Sequence, residues 1–235
     1  MIVLNQNAAA RTQVFHEKGF PLRALYDYRF HGTPQPGRDA AWNVIARDLY
    51  HRMDSPQVII DLAAGRGEFL RFCPSREKWA IDLVRHEWMD VNNVKLVQSN
   101  ALDVELPDKH FDAVFISNFL EHLDNPAQIL SLLKRAYASL KQDGVIGILG
   151  PNFRYVFREY FDFSDHKCAL TERSVDELLH LAGFQTEVVF ARFLPYSFRS
   201  RLPAWPWLIN IYLHIPLLWK LFGKQFLLIA RKKSA

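Results

Sequence analysis

The chain has 235 residues, 49% of them hydrophobic and 23% charged, with 29 Lys and Arg against 25 Asp and Glu. That balance excludes a disordered or fibrous chain and suits one domain with a modest extension. Two cysteines, Cys73 and Cys168, lack the spacing of a metal knuckle and point to a reducing compartment, and the opening MIVLNQNAAARTQ lacks the basic and apolar regions of a secretory signal, so the expected localisation is cytoplasmic.

In chain order, the aromatic segment FPLRALYDYRF leads into a Pro/Gly-rich linker, HGTPQPG, from His31 to Gly37. A helix is predicted next, because Trp42, Ile45, Ala46, Leu49, Tyr50 and Met53 recur at helical spacing behind Asp39 as cap. Residues 1–56 are expected to form a helical lid, too short for a core of its own, ahead of a main domain at 57–235. VIIDL (58–62), WAIDL (79–83), VKLVQ (94–98) and FDAVFIS (111–117) are apolar runs suited to strands buried on both faces of a parallel sheet. Pro126 opens a helix with Ile129, Leu130, Leu133, Ala136, Tyr137 and Leu140 on one face, and Gly144 is expected to stop it. GVIGILG (144–150) is a fifth strand. Ser174 and Glu177 read as the capping box of a helix ending at Gly183. FQTEVVFARF (184–193) and KQFLLIARK (224–232) complete the series. Alternating β and α units predict a doubly wound, Rossmann-like α/β sheet, whose ligands bind at the carboxyl ends of the strands.

The first strand ends in Asp61 and enters a turn with Gly65 and Gly67. Glycine lets a backbone turn sharply and lets a ligand approach it closely. Ala63 stands where a dinucleotide fingerprint has its first glycine, the third glycine is absent, and no G-K-[ST] follows. The turn therefore favours a nucleoside-like ligand without a pyrophosphate. Asp82, at the end of the second strand, is placed to accept both hydroxyls of a ribose, and Asn100 after the third strand can bond an adenine edge.

DLAAGRGEF, AIDL, SNALD, FDAVFISNFLEHL and LKQDGVIGILGPN resemble, in order and spacing, the successive motifs of class I S-adenosylmethionine-dependent methyltransferases. They are most similar to bacterial small-molecule methyltransferases sharing an F-D-x-V…E-H-L signature. The resemblance runs from Gln57 to Phe193, and Lys224 to Lys232 match the family's last strand. It implies a mostly parallel seven-stranded sheet with that strand antiparallel, and S-adenosylmethionine as cofactor. It also implies that Asp61, Gly65 and Gly67, with Ala63 in the same turn, frame the methionine part. Asp82 would hold the ribose, Leu83 flank the adenine, Asn100 and Ala101 meet its edge, and Ser117 line the floor near the sulfonium. Ala63 and Asn100 depart from the family's usual glycine and aspartate. No metal site is expected.

Acceptor contacts are sought after the fourth and fifth strands. Methyl transfer to oxygen often needs a general base, whereas a neutral amine need not. His166, beside Asp165, is the first candidate base and His122 the second; each is alternatively an ordinary loop histidine. Asn152, Arg154, Tyr155 and Tyr160 are candidate acceptor contacts, in a loop 152–166 expected to form the acceptor wall. The GPNFRY…FDFSDH…LTERS pattern also resembles a subgroup found in bacterial glycan and lipid pathways.

After Glu187 no Asp or Glu occurs, while Arg192, Arg199, Arg201, Lys220, Lys224, Arg231, Lys232 and Lys233 follow. Such asymmetry marks either an anionic partner or a solvated basic edge. Within this stretch lies an aromatic insertion at 195–222. Pro203, Pro206 and Pro216 interrupt it, so it is a poor membrane span. It is read either as a peripheral membrane contact through 199–224, at the inner membrane face, or as a cap packed over the sheet and roofing the acceptor. The leading function is methyl transfer to a hydroxyl or amine of a sugar, lipid-linked glycan or natural product. The alternatives are an RNA methyltransferase, which the basic tail favours but which no RNA-binding module accompanies, and a cofactor-binding subunit without chemistry. The oligomeric state is open.

Overall fold

The computed structural model describes residues 35–85, 88–89, 93–196 and 205–233, together with Leu25 and Tyr28. The chain divides into two compact units, Met1–Pro34 and Gln35–Ala235. Of the first, Leu25 and Tyr28 are helical; the remainder of the expected lid up to Pro34 lies outside the described residues.

The second unit opens with α1 (Gln35–Arg52). This helix begins earlier than the spacing of its apolar residues indicates, taking up the end of the predicted linker; Pro36, in its first turn, needs no hydrogen-bonded N–H there. Asp39 is therefore not its cap: the carboxylate pairs with Arg71, at 2.8 and 2.9 Å. Then come β1 (Val58–Leu62), β2 (Glu77–Asp82), β3 (Val94–Gln98) and β4 (Phe111–Ser117). Next are α2 (Pro126–Ser139), β5 (Leu140–Pro151) and the single turn α3 (Phe153–Val156). The chain continues through α4 (Glu172–Leu181), β6 (Phe184–Phe190), α5 (Pro206–His214), α6 (Pro216–Phe222) and β7 (Gln225–Lys232).

The seven strands form one sheet in the order β3-β2-β1-β4-β5-β7-β6. β3, β2, β1, β4 and β5 run parallel, and β7 is antiparallel to both β5 and β6. This is the doubly wound, Rossmann-like arrangement the alternating pattern predicts. Because successive strand residues point to opposite faces, Ile60 and Leu62 join one buried cluster with Ile129, Leu133 and Ala136 of α2 and Val175 and Leu179 of α4. Ile59 joins the other, with Ile45 and Leu49 of α1, Leu213 of α5 and Trp219 of α6.

Two helix ends differ from their sequence reading. Asn125 caps α2 by accepting from Gln128 N at 3.0 Å, but the helix stops at Ser139, and Leu140 already carries extended backbone as the first residue of β5. Gly144 lies inside that strand. The capping box of α4 is formed by Thr171 and Ser174, each side chain bonding the other's backbone N–H, so the cap lies three residues before the predicted one.

Candidate active site

The parallel strands end on a common edge, and their order reverses between β1 and β4, which opens a crevice there. On one side of it stands the turn after β1. Ala63 and Ala64 both donate from backbone N–H to Ile81 O at 3.0 Å. Ala63, Gly65 and Gly67 all have left-handed backbone, with φ of 71°, 51° and 69°. Ala63 thus occupies a conformation that a Cβ disfavours. At Gly67 a side chain is excluded a second way, since a Cβ would lie 2.3 Å from the Trp88 ring. The Trp88 indole N–H also donates to Gly65 O at 3.2 Å. Trp88 is a wall of this turn that the motif series misses, because it lies outside every motif.

Asp82 shapes the same turn. One carboxylate oxygen accepts from Gly65 N at 2.7 Å and the other from Val84 N at 2.9 Å. Asp61 is only 3% exposed, and its Oδ1 has no hydrogen-bond partner. Burial pushes its pKa well up, and the charges of Asp82 and Glu68 add to the shift. Such a group calls for a cation or a donor. Asn100 spends one lone pair of its side-chain oxygen on Leu102 N at 2.9 Å, which leaves the second. Ala101 is buried beside it, Leu83 O accepts from Gln98 Nε2 at 3.1 Å, and Ser117 accepts from Asn118 Nδ2 at 3.0 Å.

Across the crevice, the segments after β4 and β5 are stitched together. A 3-10 turn, Leu120–His122, follows β4. The Glu121 carbonyl accepts from Lys167 N at 2.8 Å and Cys168 N at 3.0 Å, and Lys167 reaches Asp124 at 2.8 Å. These bonds bring His122 to Asp165. Nδ1 of His122 lies 3.0 Å from the Asp165 backbone carbonyl and 3.3 Å from its carboxylate. Adjacency in sequence pairs Asp165 with His166; the fold brings it to His122, forty-three residues earlier. His166 stands against His122 with ring centroids 5.0 Å apart, stacked on Phe163 and edge-on to Tyr160. Glu121 is 2% exposed, and burial raises its pKa, partly opposed by His122.

The four candidate acceptor contacts divide. Asn152 is fully buried and holds the loop: Nδ2 donates to Glu172 at 2.6 Å and to Ala191 O at 2.8 Å, and Oδ1 accepts from Arg154 N. Tyr160 is likewise buried, its hydroxyl donating to Cys168 O at 2.5 Å. Both groups bond the loop's own backbone and its neighbours. Arg154 is exposed, and Tyr155 is half-buried under Arg192, whose guanidinium is 4.8 Å from its ring.

The aromatic insertion is neither wholly core nor wholly surface. Tyr212 Oη donates to Phe193 O at 2.6 Å, Trp219 Nε1 to Tyr212 O at 2.7 Å, and Arg192 to the α6-end carbonyls of Leu221 and Gly223. These contacts hold α5 and α6 on the α1 face of the sheet, whereas Leu120, Leu123 and Cys168 of the acceptor segments pack into the opposite cluster. The described helices of the insertion thus pack on the α1 layer, and just beyond them Lys224 pairs with Glu159 of the loop at 2.9 Å. Outward, Trp205, Trp207, Ile211, Ile215, Leu217, Leu221 and Phe222 are exposed, Leu217 by 65%. No helix among the described residues is long and apolar enough to cross a membrane.

Residues 39–189 match a family described as a methyltransferase domain. A solved S-adenosylmethionine-dependent methyltransferase from Archaeoglobus fulgidus is similar at 25% identity and TM-score 0.62, over 89% of this chain and 99% of that one. A second, from Thermotoga maritima, gives 17% identity and TM-score 0.62 over 90% and 96%. The N-methyltransferase NodS from Bradyrhizobium japonicum gives 11% identity and TM-score 0.57 over 81% and 95%. No curated protein sequence matches the chain.

Proposed function

The chain belongs to the methyltransferase-domain family and is an S-adenosylmethionine-dependent methyltransferase, and from that premise we propose that it methylates a hydroxyl group of a small acceptor, a sugar or lipid-linked glycan. The observation that carries this reading is the His122–Asp165–His166 cluster on the acceptor side of the crevice. An amine acceptor needs no such proton-handling group, whereas a hydroxyl does.

The residues of the β1 turn fit the cofactor. The buried Asp61 carboxylate answers the ammonium of the methionine part, and Ala63, Gly65 and Gly67, all with left-handed backbone, let the chain turn sharply beside it. Asp82 would accept from the ribose hydroxyls, Leu83 would flank the adenine, Asn100 and Ala101 would meet its edge, and Ser117 would floor the crevice. When bound, S-adenosylmethionine supplies an electrophilic methyl on a sulfonium. The protein's part is to hold the acceptor in line with that methyl and to take up the hydroxyl proton. His122, oriented through Nδ1 by Asp165, presents Nε2 for this; His166 is its partner. Arg154, which also lies 3.6 Å from Glu172, and Tyr155 are the polar contacts proposed for the acceptor. The cofactor-side assignments follow the resemblance to the bacterial small-molecule group with the F-D-x-V…E-H-L signature; the acceptor-side ones rest on position alone.

The outward face of α5 and α6 favours an acceptor presented at a membrane. Its exposed Trp, Ile, Leu and Phe side chains, with Lys220 and no acidic residue after Glu187, match the chemistry of an anionic lipid interface. Cosedimentation should bring the protein down with vesicles rich in anionic lipid more than with zwitterionic ones, and Trp205→Ala with Trp207→Ala should release it. Equal recovery with both lipids would set that contact aside.

The test of function is transfer of labelled methyl from S-adenosylmethionine into bacterial lipid-linked saccharides, free sugars and RNA in parallel. Label at a saccharide oxygen is expected. Label in RNA, or at nitrogen only, would overturn the reading.

A further inference from the structure

We propose that Glu121, His122 and His166 bind one divalent transition-metal ion, zinc by preference, on the acceptor side of the crevice. The catalytic use of that ion rests on the hydroxyl reading above; the site itself rests on geometry. Each residue offers one ligand atom, and these atoms lie within 4.8 Å of one another. Three such atoms can share an ion at roughly 2.8 Å or less from each, against about 2.0–2.2 Å for zinc bonds to imidazole and carboxylate. A side-chain adjustment of under about 1 Å closes the site. Two imidazoles and one carboxylate, with a further position open, is a donor set used for catalytic zinc and related ions. Magnesium and calcium, which take oxygen ligands, fit it poorly.

A second feature supports the assignment. His122 Nδ1 is engaged by Asp165, carbonyl at 3.0 Å and carboxylate at 3.3 Å. That hydrogen bond puts the proton on Nδ1 and leaves the Nε2 lone pair for an ion. Carboxylate support of this kind is the usual companion of a metal-binding histidine. The other imidazole is steadied by Phe163, stacked at 5.1 Å, and by Tyr160 at 4.7 Å. The Tyr160 hydroxyl is committed to Cys168 O. Both segments are joined at the Glu121 carbonyl, so the ligands are held as one unit. Glu121 is a buried carboxylate, a costly group that a cation compensates.

With His122 Nε2 taken up as a ligand, the ion would replace that histidine as the group that activates the acceptor, by lowering the pKa of a hydroxyl placed at its open position. The balance is simple. The hydroxyl proton passes to water, the oxygen's electron pair forms the new O–C bond, and the C–S bond breaks with its pair retained by sulfur. Nothing is oxidised or reduced.

The test uses the full chain, stripped with a chelator and titrated with Zn²⁺ by calorimetry and with Co²⁺ by visible absorption. One ion per chain is expected. His166→Ala should weaken it at least 100-fold, and Asp165→Asn about 10–100-fold, the range for loss of a supporting partner. His166→Asn is a milder second variant, with circular dichroism to establish that it folds. His214→Ala, on exposed α5, should change nothing. No binding, binding indifferent to position 166, or a Co²⁺–thiolate band implicating Cys73 or Cys168 would each overturn the site. If zinc binds but the stripped protein turns over at the same rate, the catalytic role of the ion falls. If zinc does not bind and His122→Ala still abolishes O-methylation, the metal inference falls while the hydroxyl reading stands.

Discussion

The two sides of the crevice are built in different ways. The cofactor side is made of consecutive residues: Asp61 through Gly67 form one turn, and Asp82, the next strand's end, clamps it through Gly65 N. The acceptor side is assembled at long range, with His122 after β4 meeting Asp165 and His166 after β5. A local turn is specified by its own φ angles and glycines. A long-range cluster exists only once two segments have been stitched together, here by Lys167 and Cys168 on the Glu121 carbonyl. Substitutions on the first side should therefore alter binding or strain, and those on the second should alter chemistry.

The largest expected effect tests the acceptor side. His122→Ala should lower turnover about 100-fold or more, as for removal of a group that handles the proton, while cofactor affinity measured by calorimetry stays nearly unchanged. A matching loss of affinity would erase the division between the sides.

On the cofactor side, Asp82→Ala should weaken S-adenosylmethionine binding by about 1–3 kcal/mol, the range for hydrogen bonds to a charged group. Part of that loss is expected to come through the turn, since the carboxylate also holds Gly65 N. Hydrogen exchange at the Gly65 amide should quicken; an unchanged rate would confine Asp82 to ligand contact.

Asp61→Asn sharpens the comparison by separating stability from binding. The folded-state pKa of Asp61 is raised by burial. Its favourable contribution is therefore full below the unfolded value, about 3.9, and is lost as pH rises through the folded value. The isosteric amide escapes that loss. The variant should be more stable than the parent at neutral pH by roughly 1–2 kcal/mol, with the difference shrinking toward acid, and should bind the cofactor more weakly. Thermal melts from acid to neutral pH check the sign; a destabilised variant at neutral pH would mean that the carboxylate is compensated in the free protein.

The smallest effect is at Ala63. With φ of 71°, Ala63→Gly relieves left-handed strain but frees the unfolded chain, so a net gain of about 0.5–1 kcal/mol is expected. Denaturant melts would show it, with cofactor affinity unaltered.

This contrast also explains what was legible in the sequence. β1, β3 and β4 are identifiable to the residue, because each is a compact apolar run closed by a turn. The helix before β5 is overrun, because the apolar series continues through Leu140 into the strand without a glycine at the junction. Asp61, Asp82 and the turn glycines fall within contiguous motifs. The pairing of His122 with Asp165 does not, since nothing in either segment alone encodes the other. Asn152 and Tyr160 carry the polarity of contact residues, and only the fold reveals that Asn152 bonds Glu172 and Ala191 O and Tyr160 bonds Cys168 O. Trp88 has no sequence signal at all; its role appears when Gly67 is seen to lie beneath it.

The antiparallel β7, set between β5 and β6, has a consequence for synthesis. β5 and β6 leave the ribosome with open edges and no partner for each other; the aromatic segment and α5–α6 must emerge before the strand that joins them. The half of the sheet carrying β1 to β4 can pair in order of emergence, whereas the half behind the acceptor loop must wait. A nascent chain halted before Gln225 would expose Val145 to Leu149 along an unpaired edge. Such an edge templates association with other chains, so stalled fragments of that length should be held by chaperones, and chains released past Lys232 should not.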